Sequence, residues 1–289
     1  MPSTRDLRRR IASIRSTAQI TRAMQMVASS KMRKAQEAAI SARPFARLLY
    51  QIQRRVTTRP VDFRDPLQEV REVRTRAVIL VAADKGLCGA LNSNVFRQAN
   101  EFDPETTVFI TAGRKAAQYV AITRRRLVAE FAYGDEPTYG EAHAIATLAR
   151  EMFLKGEVDE VHLIATRFIN TLKQEATTVE ILPVGELKGL RISSSVQDLE
   201  RISSDRSDTL FEPSPQAIIS AFLPRWLSVL IYLVLLNAKA SEQSARMVSM
   251  KNATEAAEDL IDDLTLEYNR LRQGNITKEL LEIAGGQAE

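Results

Sequence analysis

The sequence contains a single cysteine, Cys88, and only two histidines, His143 and His162. One cysteine cannot form an internal disulfide, and its scarcity is typical of a protein from a reducing compartment. Zinc needs several suitably spaced ligands, which these three residues do not provide. A catalytic thiol would also need a base and an orienting group beside it. We therefore predict no catalytic residue, no metal site and no cofactor in this chain.

Glycine is absent from long stretches at both ends of the sequence, and proline is almost as rare there. No glycine lies in the first 85 residues, and none lies between Gly189 and Gly274. Segments without helix breakers can form very long helices. We predict one helix over residues 5–55, kinked at Pro44 because proline removes a backbone donor, and a second over residues 213–283.

Apolar residues recur every three or four positions in both end segments. A sustained period near 3.5 residues is typical of a coiled coil. The first stripe comprises Leu7, Ile11, Ile14 and Ala18, continued by Ile20, Met24 and Val27, and the second comprises Met250, Ala253, Ala257, Leu260, Leu264, Tyr268 and Leu271. We predict that the two helices pair as a long antiparallel α-helical coiled coil, held together by apolar burial.

The two end segments carry opposite charge. Residues 1–55 contain thirteen basic residues against two acidic ones, giving +11, whereas residues 241–289 contain five against ten, giving −5. These charges can favour pairing of the two ends or steer separate partners to them. The basic end has the right sign for nucleic-acid phosphates, but no aromatic residue precedes Phe45 to stack on bases. We predict no nucleic-acid partner.

The middle of the sequence alternates short apolar runs with helical patterns. Strands are predicted at 77–82, 107–111, 160–166 and 177–182, and helices at 91–102, 114–120 and 139–155. This alternation is typical of an α/β sheet domain, and we place a small Rossmann-like domain over residues 75–190. The residues that follow, 191–212, are rich in serine and aspartate and are predicted to form a loop.

Residues 227–236 (LSVLIYLVLL) form a strongly apolar run. A helix needs about 20 apolar residues to cross a bilayer, and Arg225 and Lys239 bracket this run at a shorter span. We predict a buried helix segment in preference to a membrane span.

Residues 84–92 (DKGLCGALN) follow the first predicted strand and precede a helix, where α/β proteins often bind ligands. A P-loop requires GxxxxGK[ST], and a dinucleotide site requires GxGxxG. The GxxG spacing here fits neither pattern. We predict a tight structural turn, with nucleotide binding as the less favoured alternative.

Both end segments contain distinctive motifs. Residues 8–36 include IASI, QITRAM and MVASSKMRKAQ, and residues 241–284 include SEQSARM, MKNAT and RQGNITKEL. Through these motifs the two segments closely resemble the opening and closing helices of the gamma subunit of F-type ATP synthases. The turn GLCGALN also matches, with Ala90 where the family usually has glycine, and so does Asn170–Thr171 after a predicted strand. The resemblance extends over essentially the whole chain.

The resemblance implies that this chain is the central-stalk rotor of a proton-translocating ATP synthase. Residues 1–57 and 209–286 would form the shaft and residues 75–190 the foot. One copy would contact a hexamer of alternating alpha and beta subunits, the epsilon subunit and the membrane-embedded c-ring. Ring rotation would turn the shaft and drive the beta sites through successive conformations, so ATP would form on beta.

The resemblance also implies a cellular location and a set of contact residues. The complex would lie on the cytoplasmic face of the bacterial inner membrane, with this chain peripheral to it, and we expect no presequence. Met24 would face the acidic lever loop of beta, with Arg246 close to it on the second helix. Arg272 and Gln273 would contact the hexamer further along, and Glu212 would lie in the foot near the c-ring.

Some features depart from the family pattern. The run 227–236 is more apolar than usual, and Asn237-Ala-Lys239 replaces a commoner acidic or small pattern, so the packing of the foot stays open. With Cys88 alone, the chain has no regulatory dithiol of the chloroplast type. A non-enzymatic coiled-coil scaffold of another complex is the main alternative, and a small α/β enzyme with helical extensions is the next.

Overall fold

The computed structural model describes residues 3–58, 65–185 and 214–286. The helices in these ranges are α1 (Thr4–Thr58), a 3-10 helix (Pro66–Gln68), α2 (Leu91–Ala99), α3 (Arg114–Ile122), α4 (Tyr139–Leu154) and α5 (Pro215–Gly286). The strands are β1 (Arg76–Val81), β2 (Thr107–Ala112), β3 (Arg126–Phe131), β4 (Glu160–Phe168) and β5 (Gln174–Leu182). The predicted terminal helices are present, and α1 and α5 contain 55 and 72 residues.

Each long helix contains one proline in its interior. Pro44 lies inside α1 and Pro224 lies inside α5, so neither residue ends its helix. Proline leaves the carbonyl four residues earlier without its helical donor. The predicted kink at Pro44 stays a prediction. The predicted loop over residues 191–212 lies outside the described residues.

The five strands form one sheet in the order β3-β2-β1-β4-β5. The first four strands of this order are parallel, and β5 is antiparallel to β4. Arg76 at the start of β1 pairs with Thr107 of β2 and Glu160 of β4, so these parallel strands begin along one edge. Their carboxyl ends, with the loops that follow them, share the opposite edge. The predicted Rossmann-like α/β architecture is confirmed.

Helices cover both faces of the sheet. Successive strand residues point to opposite faces, so a strand covered on both sides is apolar throughout. In β1, Val78 and Leu80 pack with α2 and α3 on one face, while Ile79 packs with α4 and α5 on the other. This is why residues 77–82 form a continuous apolar run.

Strand β3 is absent from the sequence-based prediction. Its residues are mostly exposed, it pairs only with β2 among the described strands, and its register shifts beside Val128. Such charged, bulged edge strands resist pairing with other chains. Because Arg126 and Glu130 interrupt its apolar residues, β3 lacks the run that revealed the inner strands.

The apolar run 227–236 lies within α5 and is largely buried, as predicted. Leu227, Ile231 and Leu235 are fully buried and belong to the core on the α4 side of the sheet. By length and composition alone α5 could cross a membrane, with a mean hydropathy of 2.0 in its most apolar window. Since 56% of that window is buried inside the protein, its hydropathy is explained by core packing.

The chain divides into two compact units. One comprises the chain up to Ala28 together with the chain from Arg246 onward, and the other comprises Ser29–Ala245. Both long helices contribute residues to both units. The first is called the helix pair below, and the second the α/β unit.

Candidate functional site

The helix pair buries one stripe from each helix. In α1 the buried residues are Leu7, Ala18, Thr21 and Ala28, and in α5 they are Arg246, Met250, Thr254, Ala257 and Leu264. Spacings of three and four residues keep these positions on one face of each helix. Alanine and threonine contribute much of the stripe, which lets the two backbones approach closely.

The predicted stripe of α1 was wrong at Ile20 and Val27, whereas Met24 is half-buried. Ile20 and Val27 are 57% and 55% exposed, and the neighbouring Thr21 and Ala28 are buried instead. The alternating four–three spacing that starts at Leu7 continues through these smaller residues. The prediction failed because it preferred the more apolar residue at each step.

The same one-residue error occurs in α5. Thr254 is buried where Ala253 was predicted, and Ala253 itself is half-buried. Leu260 is 42% exposed, while Ile261 beside it is half-buried. The remaining predicted members of this stripe lie on the buried or half-buried side of the helix.

Three contacts fix the direction and register of the helix pair. The guanidinium of Arg8 donates a 3.1 Å hydrogen bond to the Tyr268 hydroxyl, and the Thr21 and Thr254 hydroxyl oxygens lie 2.7 Å apart. Arg22 forms an ion pair with Glu258. From Arg8 to Thr21 the residue number rises along α1 while the partner's number falls from 268 to 254 along α5, so the helices are antiparallel as predicted.

The Thr21–Thr254 contact is a buried polar pair inside an otherwise apolar seam. Oxygens of both side chains also lie within hydrogen-bond distance of carbonyls of their own helices, at Ala18 and Met250. A single buried polar pair of this kind favours one register of a coiled coil, because a shift would break the contact between the two hydroxyls. We infer that this pair helps to set the register of the two helices.

The structure places the predicted contact residues in different environments. Met24 is half-buried and Arg246 is buried, while Arg272 and Gln273 are exposed. Counting from the Thr21–Thr254 pair, Met24 and Arg246 lie within about one and a half turns of each other across the helix pair. Arg272 and Gln273 lie far from both along α5. Glu212 lies outside the described residues.

The opposite face of α1 in the helix pair exposes apolar side chains. Ile20, Met26 and Val27 are each more than half exposed. An exposed apolar cluster on a paired helix is typical of a surface that contacts another protein. Sequence reasoning assigned two of these residues to the seam.

The turn GLCGALN is built by internal contacts. Cys88 is buried with Leu91 and Ala83, and its sulfur lies 3.5 Å from the side-chain nitrogen of Asn92. The Asn92 side-chain oxygen accepts a 3.1 Å hydrogen bond from the Ala83 backbone N–H. Each polar group named here therefore has a partner within or beside the turn, as expected for a structural turn.

The two histidines have other partners. His143 Nδ1 lies 3.1 Å from the Ser228 hydroxyl, and His162 Nε2 lies 3.1 Å from a Glu160 carboxylate oxygen. Burial raises the pKa of Glu160, but hydrogen bonds from His162 and Arg76 outweigh it and lower the pKa overall. The His143 contact joins α4 to α5, whereas the His162 contact lies within β4.

Lys239 is the residue that sequence reasoning missed. It is only 1% exposed, and its Nζ lies 3.1 Å from Glu242 Oε2 and 3.6 Å from Asp135 Oδ1. The same nitrogen lies 5.0 Å from the centroid of the Tyr133 ring. Lysine is almost never fully buried unless it is paired. The three-residue spacing to Glu242 is visible in the sequence, but the burial of Lys239 and its pairing with Asp135 are not.

Asp135 links Lys239 to the other long helix. It lies between β3 and α4 and also forms an ion pair with Lys31 of α1. The hydrogen bond from Lys31 lowers the pKa of Asp135, partial burial opposes this, and the charge of Lys239 lowers it further. The net shift is downward, so this carboxylate is ionised at neutral pH and binds both lysines.

A family model described as ATP synthase matches residues 3–288. The ATP synthase gamma chain of Opitutus terrae is 44% identical over 293 residues, covering 99% of this chain and 98% of the relative. The chain belongs to the ATP synthase gamma chain family. Another gamma chain, from Pelotomaculum thermopropionicum, is 42% identical over 292 residues, covering 100% of this chain and 99% of the relative. The family resemblance found in the sequence is confirmed.

Solved structures of distant sequence share the fold of this gamma chain family member. A chain of the Euglena gracilis mitochondrial ATP synthase rotor, in rotational state 1, matches with a TM-score of 0.68 at 17% identity, covering 94% of this chain and 98% of that one. A chain of the OSCP/F1/c-ring assembly of the same enzyme, in rotational state 3, matches with a TM-score of 0.70 at 19% identity. The match covers 99% of this chain and 93% of that one.

Proposed function

We propose that this chain is the central rotor of a proton-driven ATP synthase. It would stand, in one copy, inside a hexamer of alternating alpha and beta subunits, with its α/β domain against the c-ring and the epsilon subunit. Proton flow would turn the ring and this chain together. The observation that carries the proposal is the 44% identity to an ATP synthase gamma chain over nearly the full length of both chains.

The helix pair has the properties that this role requires. A turning rotor influences each beta site only through contacts that differ between its orientations. Ile20, Met26 and Val27 give α1 an exposed apolar face, and α1 as a whole carries a large excess of basic residues. Such a face would contact each beta subunit in turn.

We assign the contact residues and the domain limits on the same basis. Met24 and Arg246 would act at the beta lever loop, Arg272 and Gln273 would contact the hexamer further along, and Glu212 would lie near the c-ring. Residues 1–57 and 209–286 would form the shaft, and residues 75–190 the foot. The exposure of Arg272 and Gln273 leaves their side chains accessible to such a partner.

We further propose that the chain has no catalytic site of its own and lies at the cytoplasmic face of the bacterial inner membrane. The complex would hold it there, since the most apolar part of α5 is largely occupied by core packing. Catalysis would take place on the beta subunits. The partners given to Cys88, His143 and His162 by the structure favour structural roles for all three.

Reconstitution tests the proposed function. The purified chain is mixed with alpha and beta subunits of the same organism, and the complex is analysed by native mass spectrometry and by ATP hydrolysis. We expect three alpha, three beta and one copy of this chain, with steady hydrolysis only in the complex. The chain alone and the alpha–beta mixture alone are the controls. A robust rate from the isolated chain, or failure to join alpha and beta, would refute the proposal.

A further inference from the structure

Five side chains of the α/β unit form one connected group, which we call the Lys239 cluster: Lys31, Tyr133, Asp135, Lys239 and Glu242. They come from three separate elements of the fold. Lys31 belongs to α1, Tyr133 and Asp135 to the segment between β3 and α4, and Lys239 and Glu242 to α5. The cluster is therefore a point where both long helices are bound to the same loop of the sheet.

Charge is balanced inside the cluster. Two lysines face two carboxylates, and Lys239 and Glu242 are almost fully buried. A buried ion pair seldom adds net stability compared with apolar residues of similar size, but removing one member leaves an uncompensated charge. Because Leu235, Leu236 and Ala238 are buried beside it, an apolar residue at position 239 would also suit this environment. The cluster therefore favours one arrangement of the three elements over others.

The loop side of the cluster is anchored in the sheet. The Tyr133 hydroxyl donates a 3.0 Å hydrogen bond to the Ala82 carbonyl at the end of β1. The Ala82 N–H bonds to the Ala112 carbonyl of β2 at 3.0 Å, and the Gly113 N–H bonds to the Phe131 carbonyl of β3 at 2.9 Å. A force on Lys239 would thus reach the carboxyl ends of three adjacent strands.

Other polar contacts between α5 and the sheet side are of a different kind. The Ser244 hydroxyl donates to the Thr171 carbonyl at 2.8 Å, and the Ser228 hydroxyl lies against His143. Neither contact includes α1. The pair between Lys34 of α1 and Glu136 does include it, but these side chains are 3.9 Å apart and 69% and 80% exposed. The Lys31–Asp135 pair is less exposed, at 39% and 53%, so solvent screens it less than the Lys34–Glu136 pair.

We propose that the Lys239 cluster is the joint that transmits torque between the α/β domain and the two long helices, with Lys239 and Asp135 as its positioning residues. The inference rests on the proposed rotor function and specifies where its load passes. A rotor driven at its α/β domain must prevent that domain from twisting about the helices. An ionic contact shared by α1, α5 and the loop between β3 and α4 resists this twisting directly.

The decisive measurement is the torsional stiffness of the rotor in the assembled complex. A bead is attached to the α/β domain, the complex is immobilised through its beta subunits and stalled without nucleotide, and the angular variance of the bead is recorded. Asp135→Asn removes one of the two carboxylates bound to Lys239, so we expect the variance to rise roughly twofold. The matched control is Glu136→Gln. It removes the adjacent loop carboxylate, which pairs with Lys34 of α1 and does not contact Lys239.

The joint is refuted if Asp135→Asn keeps the variance of the unmodified chain, or if Glu136→Gln raises it equally. A second pair of variants separates stiffness from folding. Lys239→Met removes the buried positive charge that lies beside Glu242, whereas Lys239→Met with Glu242→Gln leaves no buried charge at either position. We expect the double variant to regain thermal stability and to keep a high variance. If the double variant regains both the thermal stability and the low variance of the unmodified chain, Lys239 only neutralises Glu242 and the joint is rejected. Failure of the unmodified chain to assemble would instead refute the proposed function.

Discussion

Replacing Ala257 by aspartate is expected to destabilise the helix pair by about 3 kcal/mol, since it buries a charge without a partner. Ala257 is buried in the seam. In the register set by the Thr21–Thr254 pair, Ala257 of α5 lies opposite the buried Ala18 of α1, because each is three residues from that pair along its own helix. An aspartate would meet a close-packed alanine there, with no basic residue among the seam positions beside it.

The matched control for this substitution is Ala256→Asp. Ala256 is the adjacent residue of the same helix and is exposed, so its aspartate stays in water and we expect a change within about 0.5 kcal/mol. Denaturant unfolding of the isolated chain, followed by far-UV circular dichroism, compares the two. Equal effects of both variants would contradict the assigned seam, as would an unaltered unfolding curve for Ala257→Asp.

Replacing Gly113 by alanine is expected to destabilise the α/β unit by roughly 3 kcal/mol or more, through backbone strain and a direct clash. Gly113 has a φ of +94°, a conformation that side-chain-bearing residues rarely adopt. A Cβ there would overlap the Ala82 carbonyl oxygen and lie 3.2 Å from Cε1 of Tyr133. The same substitution would also disturb the Tyr133 ring that packs on Lys239.

Gly86→Ala is the control for this second prediction. A Cβ at Gly86 would meet nothing within 4 Å, so we expect its stability to stay within about 1 kcal/mol of the parent chain. The midpoint and slope of urea unfolding, read from the fluorescence of Trp226, report on the α/β unit. If Gly113→Ala unfolded at the same urea concentration as Gly86→Ala, the close packing of Gly113 against the Ala82 carbonyl would be wrong.

The sequence predicts those parts of the fold that local patterns determine. Long helices follow from segments without glycine, and the inner strands follow from apolar runs such as residues 77–82. Strand β3 escapes because an edge strand with Arg126 and Glu130 needs no such run. The limits of each element differ from prediction by a few residues, as expected where helix ends and strand ends depend on tertiary contacts.

The candidate site is less predictable, for two physical reasons. In the helix pair, hydrophobicity alone favours Ile20 and Val27, whereas the geometry of close packing selects Thr21 and Ala28. At the joint, the burial of Lys239 depends on Asp135, more than 100 residues away in sequence. No local pattern encodes such a pairing. The family resemblance proposes contact roles for positions such as Met24 and Arg246, and the partners it proposes for them are other subunits.

Rotation of the α/β domain relative to the beta subunits tests the central claim most directly. A bead on the α/β domain of the complete complex, immobilised through beta, is observed while ATP is hydrolysed. The account predicts rotation in one direction, with one dwell for each beta subunit in every turn. A complex that hydrolyses ATP at its normal rate while the bead stays fixed would contradict it.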